Sequence, residues 1–155
     1  MKKKIPVILF ILAAVIFSVS LMTFDPGERL SYPWEIKKAD IDYFNSDENV
    51  SISLKEETLR KNRAAFKILN NSDAEIFFGQ GFSLQVFKAG KWYDIVVPPG
   101  EWTADMSFVK PQTGIIIDVK WEDQYGELPA ARYRLVKEYS EGSESSDMLC
   151  EFQMR

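Results

Sequence analysis

The sequence predicts an all-β fold, an antiparallel β-sandwich preceded by one N-terminal apolar helix. Three observations predict it. From Val50 to the C-terminus, apolar residues recur at every second position in short runs, as in strands with one buried face. Turn-forming residues interrupt these runs about every eight to twelve residues, and no amphipathic helix separates them, which excludes a βαβ pattern. Ahead of the runs, 16 of the 20 residues from Ile5 to Phe24 are Ala, Val, Ile, Leu, Met or Phe, and none is charged.

The 155 residues fit one globular domain behind that apolar stretch. Lys2, Lys3 and Lys4 precede it, and as a helix it would measure about 30 Å, the thickness of a hydrocarbon layer. Residues 1–24 therefore read as a membrane anchor or as a signal peptide with an apolar region from Ile5 to Phe17 and cleavage after Ser20. Either way the lysines stay inside and the remaining chain is extracytoplasmic, single-pass and tethered or secreted. Asp25-Pro26-Gly27 ends the apolar segment. Residues 25–48 then mix Tyr32, Trp34, Tyr43 and Phe44 with charges and keep no sustained period, so they read as a juxtamembrane linker ahead of a domain over 49–155, with Tyr32 and Trp34 either packed under the domain edge or lying at the membrane interface.

Within the domain, Val50, Ile52 and Leu54 alternate with Ser51, Ser53 and Lys55. Phe66 and Ile68 follow on a second strand, and Asn70-Asn71-Ser72-Asp73 supplies a turn. Ile76 to Phe78 is a short strand, and Gly79-Gln80-Gly81 reads as a hairpin turn, lacking the third glycine and following helix of a nucleotide-binding loop. Phe82, Leu84 and Val86 share one face of the next strand. Gly90 turns it into Trp92 to Val97, which Pro98-Pro99-Gly100 ends. Thr103 to Val109, the run Ile115, Ile117, Val119 and Trp121, Tyr133 to Tyr139, and Met148 to Met154 complete the set. Cys150 shares the parity of Met148, Phe152 and Met154 and so belongs in the core.

Chemistry is limited by composition. There is no histidine and one cysteine, which removes Ser-His-Asp and Cys-His catalysis, the usual zinc sets and any internal disulfide. Without the leading lysines, 16 basic side chains face 23 acidic ones, a balance that disfavours nucleic acid. Asp40, Asp42, Asp47 and Glu48 lack calcium-loop spacing and read as a solvated acidic linker. Asp118, Glu122 and Asp123 do not single out a hydrolytic pair. The triplets Asn49-Val50-Ser51 and Asn70-Asn71-Ser72 read as structural. No metal, cofactor or catalytic residue is predicted.

The segment Tyr125-Gly126-Glu127-Leu128-Pro129-Ala130-Ala131-Arg132-Tyr133-Arg134-Leu135-Val136-Lys137 resembles the penultimate loop and strand of the bacterial immunoglobulin-like domain of small exported or membrane-anchored proteins. Asn70-Asn71-Ser72 before Ile76-Phe77-Phe78-Gly79, and Phe82-Ser83-Leu84 before Gly90-Lys91-Trp92, are similar to that family in order and spacing. The likeness covers Asn49 to Met154 and implies an immunoglobulin-like antiparallel sandwich in an extracytoplasmic setting, with no substrate. Ala131 stands where the family pattern has glycine before Arg-Tyr-Arg. Tyr133, opening a late strand, is placed to bury its ring and bond its hydroxyl to backbone at a sandwich corner.

Aromatics are the remaining functional signal. Phe77 beside Phe78, and Trp92 beside Tyr93, cannot both face inward on a regular strand. Phe87, Tyr93 and Trp102 are the predicted protein or glycan contact residues. The functional expectation is a non-catalytic binding or envelope-associated module, meeting the membrane through its first helix and an envelope protein or glycan through its domain. The alternative is an exported protease inhibitor using the loop from Val96 to Trp102, stiffened by Pro98 and Pro99. A carboxylate-based cell-envelope hydrolase is the third reading.

Overall fold

The structure, a computed structural model, describes residues 33–39, 49–98 and 104–155. Among them, ten strands form two antiparallel sheets. The smaller contains β2 (Val50–Leu54), β3 (Arg63–Asn70) and β8 (Thr113–Lys120) in that order. The larger contains β1 (Glu35–Lys38), β4 (Ile76–Phe78), β5 (Ser83–Lys88), β6 (Lys91–Val96), β7 (Ser107–Val109), β9 (Arg132–Glu141) and β10 (Glu144–Gln153). A single helical turn, α1 (Glu122–Tyr125), lies between β8 and β9.

β9 organises the larger sheet. β10 pairs with it along its whole length, from Gln153 opposite Arg132 to Glu144 opposite Glu141. On its other edge, β5 pairs with Tyr133 to Val136, while β4 pairs with Ser140 and Glu141. Thus β4 and β5 are successive pieces of one edge. The intervening Gly79-Gln80-Gly81, expected as a hairpin turn, is instead a break in the ladder beside Lys137, Glu138 and Tyr139. The hairpin expected at Gly90 is present: Ala89 (φ 49°) and Gly90 (φ 74°) join β5 to β6. Two successive left-handed residues suit the twist of a two-residue hairpin, and glycine adopts that conformation without a Cβ penalty.

The core forms where inward parities from both sheets meet. Phe66 and Ile68 on β3, Leu84 and Val86 on β5, Tyr133 and Leu135 on β9, and Met148 on β10 have no exposed surface. Phe152 is the hub of the aromatic part. Its ring stacks on Trp121 at 5.8 Å and on Tyr133 at 5.8 Å, and meets Phe66 edge-on at 6.2 Å. Trp121 donates its indole N–H to Lys61 O at 2.7 Å, so its polar atom is satisfied while its ring is buried. Cys150 is buried in this core, as its parity predicts.

Three further placements differ from, or complete, the sequence reading. Inside the segment read as linker, Glu35–Lys38 is a strand, paired with β6 from Glu35 opposite Val96 to Lys38 opposite Tyr93. Trp34 packs against the core and donates its indole N–H to Tyr125 O at 2.7 Å, tying this strand to α1. Ala131, at the family's glycine position, is fully buried and does not take a left-handed conformation, so the turn there needs no glycine. The helix predicted over residues 1–24 lies outside the described residues, and among the described residues no helix is long and apolar enough to cross a membrane.

Candidate functional site

The outer face of the larger sheet carries an ordered row of polar side chains. Pairing register places Glu151, Arg134, Gln85, Asp94 and Lys37 side by side across β10, β9, β5, β6 and β1. Arg134 donates its Nε–H to Gln85 Oε1 at 2.8 Å, and Gln85 Nε2 donates to Asp94 Oδ1 at 2.7 Å. Both Gln85 and Arg134 are buried on this nominally solvent side because neighbours lie over them. One of those neighbours is Trp92, whose ring centroid is 4.4 Å from the Arg134 guanidinium.

Beside that row sits an aromatic pair. Phe87 is directly opposite Trp92, and the rings meet edge to face at 5.1 Å. Arg132 extends over both, 4.9 Å from Phe87 and 5.6 Å from Trp92, and its other side forms an ion pair with Glu151. The result is a half-buried π-surface bordered by two guanidinium groups. Of the two, Arg132 is exposed and can donate hydrogen bonds at the margin of the aromatic pair, whereas Arg134 is buried and donates to Gln85. Its acids do not form a hydrolytic pair: Glu151 and Asp94 are three strand spacings apart, about 14 Å, beyond the roughly 5–9.5 Å span of glycosidase carboxyls.

The contact residues predicted from sequence separate. Phe87 lies on this outer face. Tyr93 does not join it: it is opposite Val86, on the other face of the sheet, and packs against the core. Of the pair Trp92 and Tyr93, it is Trp92 that faces outward. Trp102 lies outside the described residues, and so does most of the Val96–Trp102 loop, of which Val96 is 43% exposed. Glu122, one of the three carboxylates considered for hydrolysis, accepts a hydrogen bond from Asn62 Nδ2 at 3.0 Å in α1. Arg132, Arg134 and Gln85 escaped the sequence reading because polar residues at alternate positions read as solvated.

On the inner side of the ladder break, Lys137 is 3% exposed. Its ammonium donates to Gly79 O at 2.8 Å and to Gly81 O at 3.0 Å and lies 4.9 Å from the Phe78 ring centroid. It thereby holds the two carbonyls that the interrupted strand leaves beside β9. Burial lowers its pKa from 10.5 to about 8.

A family model described as a bacterial Ig-like domain matches residues 46–153. The chain belongs to the bacterial Ig-like domain family. In the lettering of immunoglobulin strands, β2, β3 and β8 of this Ig-like domain correspond to A, B and E, and β6, β5, β9 and β10 to C′, C, F and G. Tyr133 then occupies the corner at the start of F. It is fully buried, and its hydroxyl donates to Pro129 O at 3.0 Å, the geometry anticipated from sequence. No curated protein matches the chain.

Proposed function

We propose that this Ig-like domain is a non-catalytic, extracytoplasmic binding or envelope-associated module that meets an envelope protein or glycan through the outer face around Phe87 and Trp92. One observation carries the reading. The Phe87–Trp92 pair lies on the face opposite the core, bordered by Arg132 and Arg134, and neither ring contributes to the cluster that holds the sheets together. Aromatic and arginine side chains concentrated on one face are the residue types that dominate binding energy at recognition surfaces. The lysine-led apolar segment at residues 2–24 supports attachment to, or export across, a membrane, with the domain outside.

The test is crosslinking in intact cells with the full-length chain as bait, comparing the natural protein with a Phe87→Ala, Trp92→Ala double variant. Capture of a discrete envelope protein or glycan that the double variant loses, while its circular dichroism is unchanged, is the expected result. Equal capture by a folded double variant would remove this face from the function.

A further inference from the structure

We propose that a second docking surface lies at the far end of the same sheet, where β4, β7 and the β9–β10 hairpin meet, and that its occupant is a basic polypeptide segment carrying an apolar side chain. This surface shares no residue with the Phe87–Trp92 face and does not depend on it. Its apolar part is well exposed: Phe108 is 59% and Met106 46% exposed, and the Phe108 ring lies 6.1 Å from that of Phe77. Phe77 and Met106 border a groove of about 480 Å³ that the ladder break opens beside β9, with buried Val136 also lining it. Exposed apolar surface at the rim of a groove is characteristic of a contact site.

Charge complementarity identifies the occupant. Glu138 and Asp147 line the groove and stand directly opposite each other across β9 and β10. Glu141 and Glu144 form a second opposed acidic pair at the tip of the same hairpin. From Glu138 to Asp147 the chain carries four carboxylates and no lysine or arginine. Lys137, the adjacent cation, is held by Gly79 O and Gly81 O beside the core residue Phe78. Like charges directly opposite on a sheet repel, and a bound cation turns that repulsion into attraction. Loss of water and the neighbouring Glu138 already raise the Asp147 pKa. The same negative potential repels phosphate-bearing surfaces, which argues against an anionic membrane or nucleic acid here. Among the described residues β7 is the terminal strand of its sheet and pairs only with β4; addition to a terminal strand is one way a sheet takes up an extended segment.

The test titrates the isotopically labelled full chain, held in zwitterionic detergent, with a synthetic peptide of one phenylalanine flanked by lysines. A second peptide with glutamates in place of the lysines and vesicles containing phosphatidylglycerol are run beside it. Saturable binding of the basic peptide is expected, with amide shifts confined to β7 and residues 136–147 and affinity reduced about tenfold by Phe108→Ser or by Glu138→Gln with Asp147→Asn. Both variants alter surface positions, and the dispersed amide spectrum verifies their folding. Absence of binding, equal binding of the acidic peptide, binding of the anionic vesicles in its place, or shifts centred on Phe87 and Trp92 would each overturn the proposal.

Discussion

Lys137 is a cation that folding brings to the inner side of a sheet, with peptide carbonyls as its acceptors. Burial lowers its pKa to about 8, whereas the unfolded chain titrates it near 10.5. Below both values the folded and unfolded states are equally protonated and the cost of burying the charge is constant. Between them the unfolded state binds more protons, so this group makes stability rise with pH. Cys150 has the opposite sign: burial pushes its thiol from 9.0 up to about 11, and stability from this group is lost as pH rises through that interval. The Lys137 effect is therefore cleanest between about pH 8 and 9. Urea midpoints are expected to rise over that window in the natural protein and to stay flat in Lys137→Met; parallel curves would refute this account. The buried, neutral Cys150 thiol is expected to resist iodoacetamide in the native state and to react fully in urea, measured by intact mass. Parity located Cys150 from sequence, and its place at the start of a late strand located Tyr133. Lys137 also carries an inward parity, between Leu135 and Tyr139, so its burial was legible as an anomaly; its carbonyl partners were not, because they arise from a ladder break.

At the scale of elements, alternation revealed β2, β3, β5, β8, β9 and β10 because each has one apolar face against the core. It could not reveal β1. Glu-Ile-Lys-Lys is a four-residue edge strand with only Ile36 half-buried, and its pairing to β6 is set by backbone hydrogen bonding rather than side-chain pattern. Nor could it distinguish a hairpin from a ladder break at Gly79-Gln80-Gly81, since both need turn residues between short apolar runs. The start of β8 is constrained more tightly than its exposure suggests. Gly114 is opposite Leu69, and a Cβ there would lie 2.6 Å from Leu69 Cδ2 and 2.7 Å from Ile68 O. The leucine end can rotate away, but the carbonyl is part of the β3 backbone and cannot move without shifting the ladder. Gly114→Ala is expected to cost about 1–3 kcal/mol, read from the denaturant midpoint, although the residue is exposed. A neutral result would mean that β8 can pull away from β3 at this end.

For the whole molecule, the two sheets need a joint, and one cysteine leaves no disulfide to supply the bridge that antibody domains place between strands B and F. Aromatic packing does that work. Phe152 of the larger sheet contacts Phe66 of the smaller, Trp121 at the end of β8, and Tyr133 beside it on β9. Removing its ring takes contacts from both layers at once and leaves a cavity between them, so Phe152→Ala is expected to cost about 3–5 kcal/mol. That is a large share of the roughly 5–15 kcal/mol by which a domain of this kind is stable. Phe108→Ser, on the exposed end of the same sheet, is expected to change stability by no more than about 0.5 kcal/mol. Because the aromatic cluster spans both sheets, neither sheet has a complete core alone, and unfolding followed by tryptophan fluorescence and by far-ultraviolet circular dichroism should give one coincident transition. In Phe152→Ala both signals should shift together to lower denaturant. Two separated transitions, or loss of only one signal, would show that each sheet holds its own core and that Phe152 is not the joint.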